Sequence, residues 1–419
     1  MSIKEISPTE FNDFANNHLL KNFYQTKEYG ELMSHSDFSV IYVGAFHKNV
    51  IVAASVILYK SIGPNMKYGY APRGFLVDYY NDELLRVFTK KVKEFFFLKG
   101  FAFIKINPEI SYSIVNFEDK SKTIISKNKS LIPVLKKYGY DKLRDNLYFE
   151  SILPKYTPVI YLPTYDFNSL EQKMIEEMKL TELKGLHLVQ GNTEEDLKTF
   201  YSFVESKDNK TLTYYKYLYN IFAKSEMVDL IKLDLSYEVY VKYLQKQYIF
   251  EEKRNEELNI LFENNPNDMN CYNEKTESDK IMNNISSDIS AINIRMRDNV
   301  MRETLAAALL IKHEGRITLV MAGYNKEFYG IDIKTFLFYK IIDEYKKANY
   351  LYFDMNGITA DFTDKNPYKA LNEFKLKFKP TVYEYLGEFD LIINKPFHQL
   401  LWSTNKIQKE FYKPAIKKS

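Results

Sequence analysis

One cysteine, Cys271, and one tryptophan stand among 419 residues. A single thiol excludes an internal disulfide framework and any cysteine-rich metal site. The histidines, His18, His35, His47, His187, His313 and His398, show no HExxH or other ligand spacing, so metal chemistry is not expected. No apolar run approaches the roughly 18 residues that a membrane span requires. The opening segment MSIKEISPTEFNDF has no basic head followed by an apolar stretch, which argues against a signal peptide and for a cytoplasmic protein. Charge of one sign is also lacking: the net charge is +3 and the pI about 8.4, so any basic surface must be local. Neither half carries the Gly-rich Q/RxxGxG/A turn that cradles the pyrophosphate of coenzyme A.

What is present is a long chain, 45% hydrophobic, with 35 Tyr and 30 Phe. That length exceeds one ordinary core and predicts two globular domains. Ser7-Pro8-Thr9-Glu10 reads as a capping box opening a short helix with Phe11 and Phe14. VIYVGAFHKNVIVAASVILYKS predicts a hairpin turning at Lys48-Asn49. Asp82 to Leu98 has apolar residues at helical spacing, Gly100 stops it, and FAFIKINPE reads as a buried strand. The same order recurs about 250 residues later: a hairpin turning at Glu314-Gly315, the helix DIKTFLFYKIIDEYKKAN with Phe338, Ile341, Ile342 and Tyr345 on one face, and the strand YLYFDMNG. Two copies of hairpin, helix and strand predict a duplicated α/β unit.

Between the copies, Val241, Leu244, Tyr248, Leu258 and Phe262 hold heptad spacing from Tyr237 to Asn264, with Glu251 and Asn255 in the remaining seam positions. NNPNDMNCYNEKTESD reads as a turn, and Ile281, Ile285, Ile289, Ile292, Met296 and Val300 form a second stripe. Together they predict an antiparallel helical hairpin projecting from the globule, each helix about 35–40 Å long at about 1.5 Å per residue. Its charges are mixed rather than a basic stripe.

The segments YGYAPRGFLVDYYNDELLRVFTKKVKEF, INPEISYS, FDMNGITADF and LNEFKLKF…YEYLGEFDLIINKP resemble the FemABX aminoacyltransferases, in their FemA/FemB-like branch. The most specific parts are Tyr70-Ala-Pro-Arg-Gly74 with Asp78, and Phe374-Lys375 followed by Tyr385-Leu-Gly-Glu-Phe-Asp390. The resemblance implies an α/β (α+β) fold of two tandem GNAT-like domains with the helical arm inserted in the second. Domain 1 is expected over 1–155, domain 2 over 156–236 plus 304–419, and the arm over 237–303. It further implies transfer of glycine, alanine or serine from aminoacyl-tRNA to the stem peptide of lipid II or a UDP-MurNAc-peptide, without cofactor or metal. Peripheral contact with the inner membrane face, and a tRNA or partner protein on the arm, belong to the same expectation. An aminoacyl-tRNA ester is already activated, so the task reduces to positioning, oxyanion stabilisation and removal of a proton from an amine. A non-catalytic protein that binds tRNA or muropeptide is the alternative.

Asn366-Pro367 reads as the start of a helix from Tyr368 to Phe378, although Phe374, Leu376 and Phe378 also alternate as in a strand. Lys375 near its end either answers the helix dipole or, as the family's Phe-Lys pair implies, assists the tRNA-linked acyl group beside Phe374. Lys377 and Lys379 would then hold tRNA phosphates. Tyr70 and Arg73 are expected to line the precursor pocket, with the Gly74 backbone close to ligand. Asp78 either orients the attacking amine or caps the following helix. Asn107 stands where the family often has an acid, leaving Glu109 as the nearby carboxylate and candidate base. Glu388 matches the family's GEFD pattern, yet its alternation also fits a solvent-facing residue in an apolar strand. Thr213 stands near the position of a phosphate-binding arginine in many relatives, which leaves phosphate recognition open. Glu182 and Lys184 read as surface helix residues.

Overall fold

The computed structural model describes residues 1–62, 66–116, 121–145, 148–149, 152–325 and 331–403. Both hairpins turn where the sequence places them. Lys48 and Asn49 have φ of 48° and 65°, and Glu314 and Gly315 have φ of 48° and 79°. Positive φ at both central residues gives a two-residue turn whose twist matches the flanking strands.

Each hairpin seeds a mixed sheet. Among the described residues the first has seven strands, in the order Ser2–Glu5, Ser39–His47, Val50–Ser61, Lys67–Ala71, Phe101–Ile106, Phe389–Ile392 and Tyr140–Lys142. The second has nine among the described residues, in the order Leu186–Gly191, Val228–Ser236, Arg302–His313, Arg316–Tyr324, Tyr352–Asp354, Tyr156–Tyr161, Thr381–Tyr385, Ser111–Val115 and Lys122–Ile124. Each contains one parallel pair bridged by a helix. Lys67–Ala71 and Phe101–Ile106 are bridged by Asp82–Leu98, and Arg316–Tyr324 and Tyr352–Asp354 by Ile333–Lys347. Leu85, Phe88, Val92 and Phe96 of the first helix, and Phe338, Ile341, Ile342 and Tyr345 of the second, are buried against their sheets. Each such side chain contributes about 1.5–3 kcal/mol.

The sheets exchange strands. Ser111–Val115 and Lys122–Ile124, from the first third of the chain, close the edge of the second sheet. Phe389–Ile392, near the C-terminus, lies inside the first sheet between Phe101–Ile106 and Tyr140–Lys142. YEYLGEFDLII, read from its alternation as one strand, is therefore two strands in two sheets. Gly387, at φ of 91°, lies in the break, in a conformation that glycine adopts without steric cost.

The arm is an antiparallel pair, Tyr237–Asn264 and Met269–Arg297, of 28 and 29 residues. At about 1.5 Å per residue each is about 42–44 Å long. Val241, Leu244, Glu251, Asn255 and Leu258 are buried along the predicted seam. The turn is shorter than the sequence suggests. Asp268 accepts hydrogen bonds from the amides of Asn270 and Cys271, so the second helix starts at Met269 and most of NNPNDMNCYNEKTESD is helical. Val300, expected in the second stripe, lies past that helix and is exposed.

The aromatic–lysine run is a helix, Lys369–Leu376, and the strand alternative falls. Its start lies later than Asn366-Pro367: Asn366 Oδ1 accepts from the Tyr368 amide at 2.8 Å, forming a turn ahead of the helix. Phe374 and Phe378 pack on Phe338.

Candidate functional site

The strand exchange makes the site. Asn107 to Ile110 carry the chain from the first sheet to the second, and Leu386 to Glu388 carry it back. The crossings run side by side, the Leu386 amide donating to the Ile110 carbonyl at 3.0 Å. INPE and YLGEFD thus meet although about 280 residues separate them.

Asn107 is buried, and its Oδ1 accepts from the Arg73 amide at 2.8 Å and the Tyr70 hydroxyl at 3.3 Å. Its Nδ2 has no hydrogen-bond partner among the described residues. Arg73, at φ of 50°, is buried as well. Its Nη2 donates to the Pro154 carbonyl at 3.0 Å, and its guanidinium lies 4.5 Å from the Tyr385 ring centre. Glu109, the candidate base, is half-buried at the crossing. Arg316 holds its carboxylate in an ion pair, and the Tyr385 hydroxyl donates to it at 3.4 Å. Burial alone would raise the Glu109 pKa, but Arg316 and Arg73 outweigh burial and hold it below the usual range. Asp354, 3.8 Å from Arg316, stays above its usual value because burial dominates.

Arg73, Glu109, Arg316 and Asp354, but not Asn107 or Tyr385, line a cavity of about 290 Å³ between the sheets, together with Tyr24, Thr157, His313 and Glu314. A second, more apolar cavity of about 470 Å³ adjoins it and shares Phe23, Tyr24, Pro154, Thr318 and Asn356. Tyr70 lines this second space, with Tyr214 and Lys210 across it.

Lys375 lines neither cavity. Its ammonium is buried behind the wall and donates to the carbonyls of Gly357 at 2.7 Å and Asn356 at 3.2 Å. Burial lowers its pKa to about 7, with Asp354 opposing and Lys334 assisting. Phe374 is a core residue rather than an open platform, its ring flanked by Lys334 at 3.5 Å and Lys377 at 4.9 Å. Lys377 is engaged with Asp332 and Thr335, and Lys379 is exposed at the end of the run.

The remaining predicted residues sit farther from the cavities or inside the protein. The nearest approach to Gly74 is from Gln25: an added Cβ would lie 2.9 Å from Gln25 Nε2. Asp78 is exposed and its Oδ1 accepts from the Tyr80 amide at 2.9 Å, while Asn81, not Asp78, caps the following helix. Glu388 is not solvent-facing. It is buried, 4.0 Å from Lys105, because it stands at the crossing and not within a two-faced strand. Asp390, fully buried, lies 3.0 Å from the same lysine. Thr213 is exposed on the helix Leu212–Ala223. Glu182 pairs with Lys340 at 3.1 Å, and Lys184 is half-buried near Tyr243.

Arg316, Asp354, His313 and Lys105 were not foreseen as site residues. Arg316 and His313 flank the Glu314-Gly315 turn, and Asp354 belongs to FDMNG, so the segments were marked but the side chains were not. Only the sheet register, which pairs Arg316 with Tyr352 and His313, shows that they converge.

The sequence model of the FemAB family matches residues 6–406. The chain belongs to the FemAB family. Aminoacyltransferase FemA of Staphylococcus epidermidis is 21% identical, over 98% of this chain and 100% of the relative. Aminoacyltransferase FemA of Staphylococcus aureus is 20% identical with the same coverage. The crystal structure of FemX superposes with a TM-score of 0.72 at 18% identity, covering 96% of this chain and 100% of FemX. That likeness shows a shared fold. No helix among the described residues is long and apolar enough to cross a membrane.

Proposed function

We propose that this FemAB-family aminoacyltransferase moves glycine, alanine or serine from aminoacyl-tRNA onto an amine of the stem peptide of a peptidoglycan precursor. Family membership supports the coarse activity, addition of an amino acid to such a precursor. One observation carries the finer reading: opposite charges from both halves of the chain converge on one cavity, Arg73 from the end of the strand Lys67–Ala71, Glu109 from the first crossing, and Arg316 and Asp354 from the second sheet.

Such a cavity suits aminolysis of an ester. Arg73 supplies fixed positive charge for the oxyanion that develops on the ester carbonyl, where exclusion of water strengthens it. Glu109, clamped by Arg316, is a poor base but a good electrostatic anchor for an incoming ammonium. Lys375 acts through the turn it holds, fixing Asn356, which lines both cavities. Lys377 and Lys379 offer phosphate contacts to the tRNA, and the arm offers a surface to tRNA or a partner protein. The acceptor is lipid II or its nucleotide-linked counterpart, and a lipid-linked acceptor requires contact with the membrane surface. The division at 1–155, 156–236 plus 304–419, and 237–303 is kept as the proposed set of folding units, with the exchanged strands tying the first two together.

The test is incubation of purified protein with glycyl-, alanyl- and seryl-tRNA and lipid II, following label into the muropeptide. Label in the muropeptide from at least one donor is expected. Binding of tRNA or muropeptide without transfer would overturn the catalytic reading in favour of a binding protein.

A further inference from the structure

The first helix of the arm, Tyr237–Asn264, leaves five large apolar residues exposed, by 43 to 69%: Val239, Ile249, Phe250, Ile260 and Leu261. Their spacing is regular. Val239, Phe250 and Leu261 stand eleven residues apart, and so do Ile249 and Ile260. Eleven residues make about three turns, so each set drifts by only about 20° per step along the helix. The five share the outer face, opposite the seam that holds Val241, Leu244, Glu251, Asn255 and Leu258. They form a straight stripe about 33 Å long at about 1.5 Å per residue.

The charges of this helix are sorted around it. At about 100° per residue, Lys242, Lys246 and Lys253 fall within the stripe, accompanied by one acid, Glu257. Glu238, Glu252, Glu256 and Glu263 gather on a flank roughly a quarter turn away. Lys242 pairs with Glu238 at 2.6 Å across that boundary, whereas Lys246 and Lys253 are exposed with no ion pair among the described residues.

A face of this kind suits a surface that is apolar and anionic at once. The phosphate backbone of a tRNA would answer the lysines and leave Ile249, Phe250, Ile260 and Leu261 without a partner. A second copy laid antiparallel across Phe250 matches Val239 to Leu261, but it also opposes Lys246 to Lys253 and brings the two acidic flanks to the same side. A lipid surface accepts both kinds of side chain: the headgroup boundary takes the apolar ones and anionic headgroups take the lysines.

We propose that the outer face of Tyr237–Asn264 lies on an anionic lipid surface, with the arm flat against it. Such docking favours the lipid-linked acceptor, a choice that rests on the function proposed above; the docking itself does not.

Co-sedimentation of the full chain with vesicles tests this. Vesicles of phosphatidylglycerol and phosphatidylcholine should retain the protein, pure phosphatidylcholine vesicles should not, and retention should fall at high salt. Lys246→Gln with Lys253→Gln should weaken binding about thirtyfold, from about fivefold per lysine near the surface. Phe250→Gln with Leu261→Gln should weaken it about tenfold or more. All four positions are exposed, so both variants should keep the parental thermal transition. Absence of retention on anionic vesicles, or retention that both variants keep, would overturn the proposal. A dimer that Phe250→Gln with Leu261→Gln dissociates, read by sedimentation equilibrium, would give the face to a second copy instead. Loss of tRNA binding in the lysine variant with vesicle binding unchanged would give it to tRNA. Protein that vesicles retain but that transfers from none of the charged tRNAs would keep the face and defeat the proposed function. Transfer to lipid II by protein that no vesicle retains would do the reverse.

Discussion

Lys105 shows how much a single side chain holds in this fold. Its ammonium is fully buried, 3.0 Å from Asp390 and 4.0 Å from Glu388. Asp390 also accepts from the ring of His398 at 3.3 Å. Lys105→Met leaves two buried carboxylates without their cation and should destabilise the protein by about 3–5 kcal/mol, read by denaturant unfolding. Lys105→Met combined with Asp390→Leu should recover much of that, because an apolar pair in place of an ion pair is tolerated where a lone charge is not. Lys375 poses the opposite case, a buried lysine hydrogen-bonded to carbonyls with no carboxylate in contact among the described residues. Its pKa is about 7 when folded and 10.5 by default, so between those values the unfolded chain binds a proton that the folded chain does not. Stability contributed by Lys375 must then rise with pH across that window. Unfolding free energies of parent and Lys375→Met, measured from pH 7 to 10, should diverge in the parent's favour as pH rises; a constant difference would show an unshifted lysine.

Elements defined by local periodicity were legible in the sequence. Helix Asp82–Leu98, both hairpin turns and the arm follow from spacing and turn chemistry within a few residues of one another. What local pattern cannot encode is which sheet a strand joins. YEYLGEFDLII alternates as well in two sheets as in one, and the strands at Ser111 and Lys122 give no sign that they serve the second sheet. The site was legible to the same extent. Tyr70, Arg73, Asn107 and Glu109 lie close in sequence and carry the family resemblance, whereas Arg316, Asp354 and His313 join them through long-range register. The same reasoning predicts the arm's independence. Its seam is largely its own, with Asn255 donating to Asp279 at 2.8 Å and Lys275 pairing with Asp279 at 2.9 Å. Its base joins the core of the second sheet through Tyr237, Tyr240, Val241, Leu244 and Ile292, with Tyr243, Ile285, Ile289 and Met296 packed against that core. Replacing Gln245 to Ile292 by a short turn should therefore leave the thermal transition of the remainder cooperative and its strand content unchanged by circular dichroism. Loss of that transition would show that the arm is part of the second core.

Across the whole molecule, the ion pair of Glu109 with Arg316 joins the crossing between the sheets to the second hairpin, and Asp354 lies 3.8 Å from the same guanidinium. Burial pushes both carboxylates up, and Arg316 is the largest influence pulling each of them down. The two possible deletions are consequently unequal. Glu109→Gln leaves Arg316 with Asp354 and keeps a hydrogen-bonding side chain in place. Arg316→Met leaves Glu109 and Asp354 as two buried carboxylates sharing one cavity, and their pKa values must climb. A carboxylate whose folded pKa exceeds its unfolded value is protonated in the folded state first, so the variant loses stability as pH rises above the usual carboxylate range. Arg316→Met should be destabilised by about 3–5 kcal/mol at neutral pH, more than Glu109→Gln, and should regain part of that loss near pH 5. The double variant should cost less than the sum of the two single ones, because removing Glu109 relieves the repulsion that removal of Arg316 creates. Equal costs for the single variants, or additive costs with no recovery in acid, would mean that the charges of the two halves are solvated independently and that the cavity between them is not a coupled site.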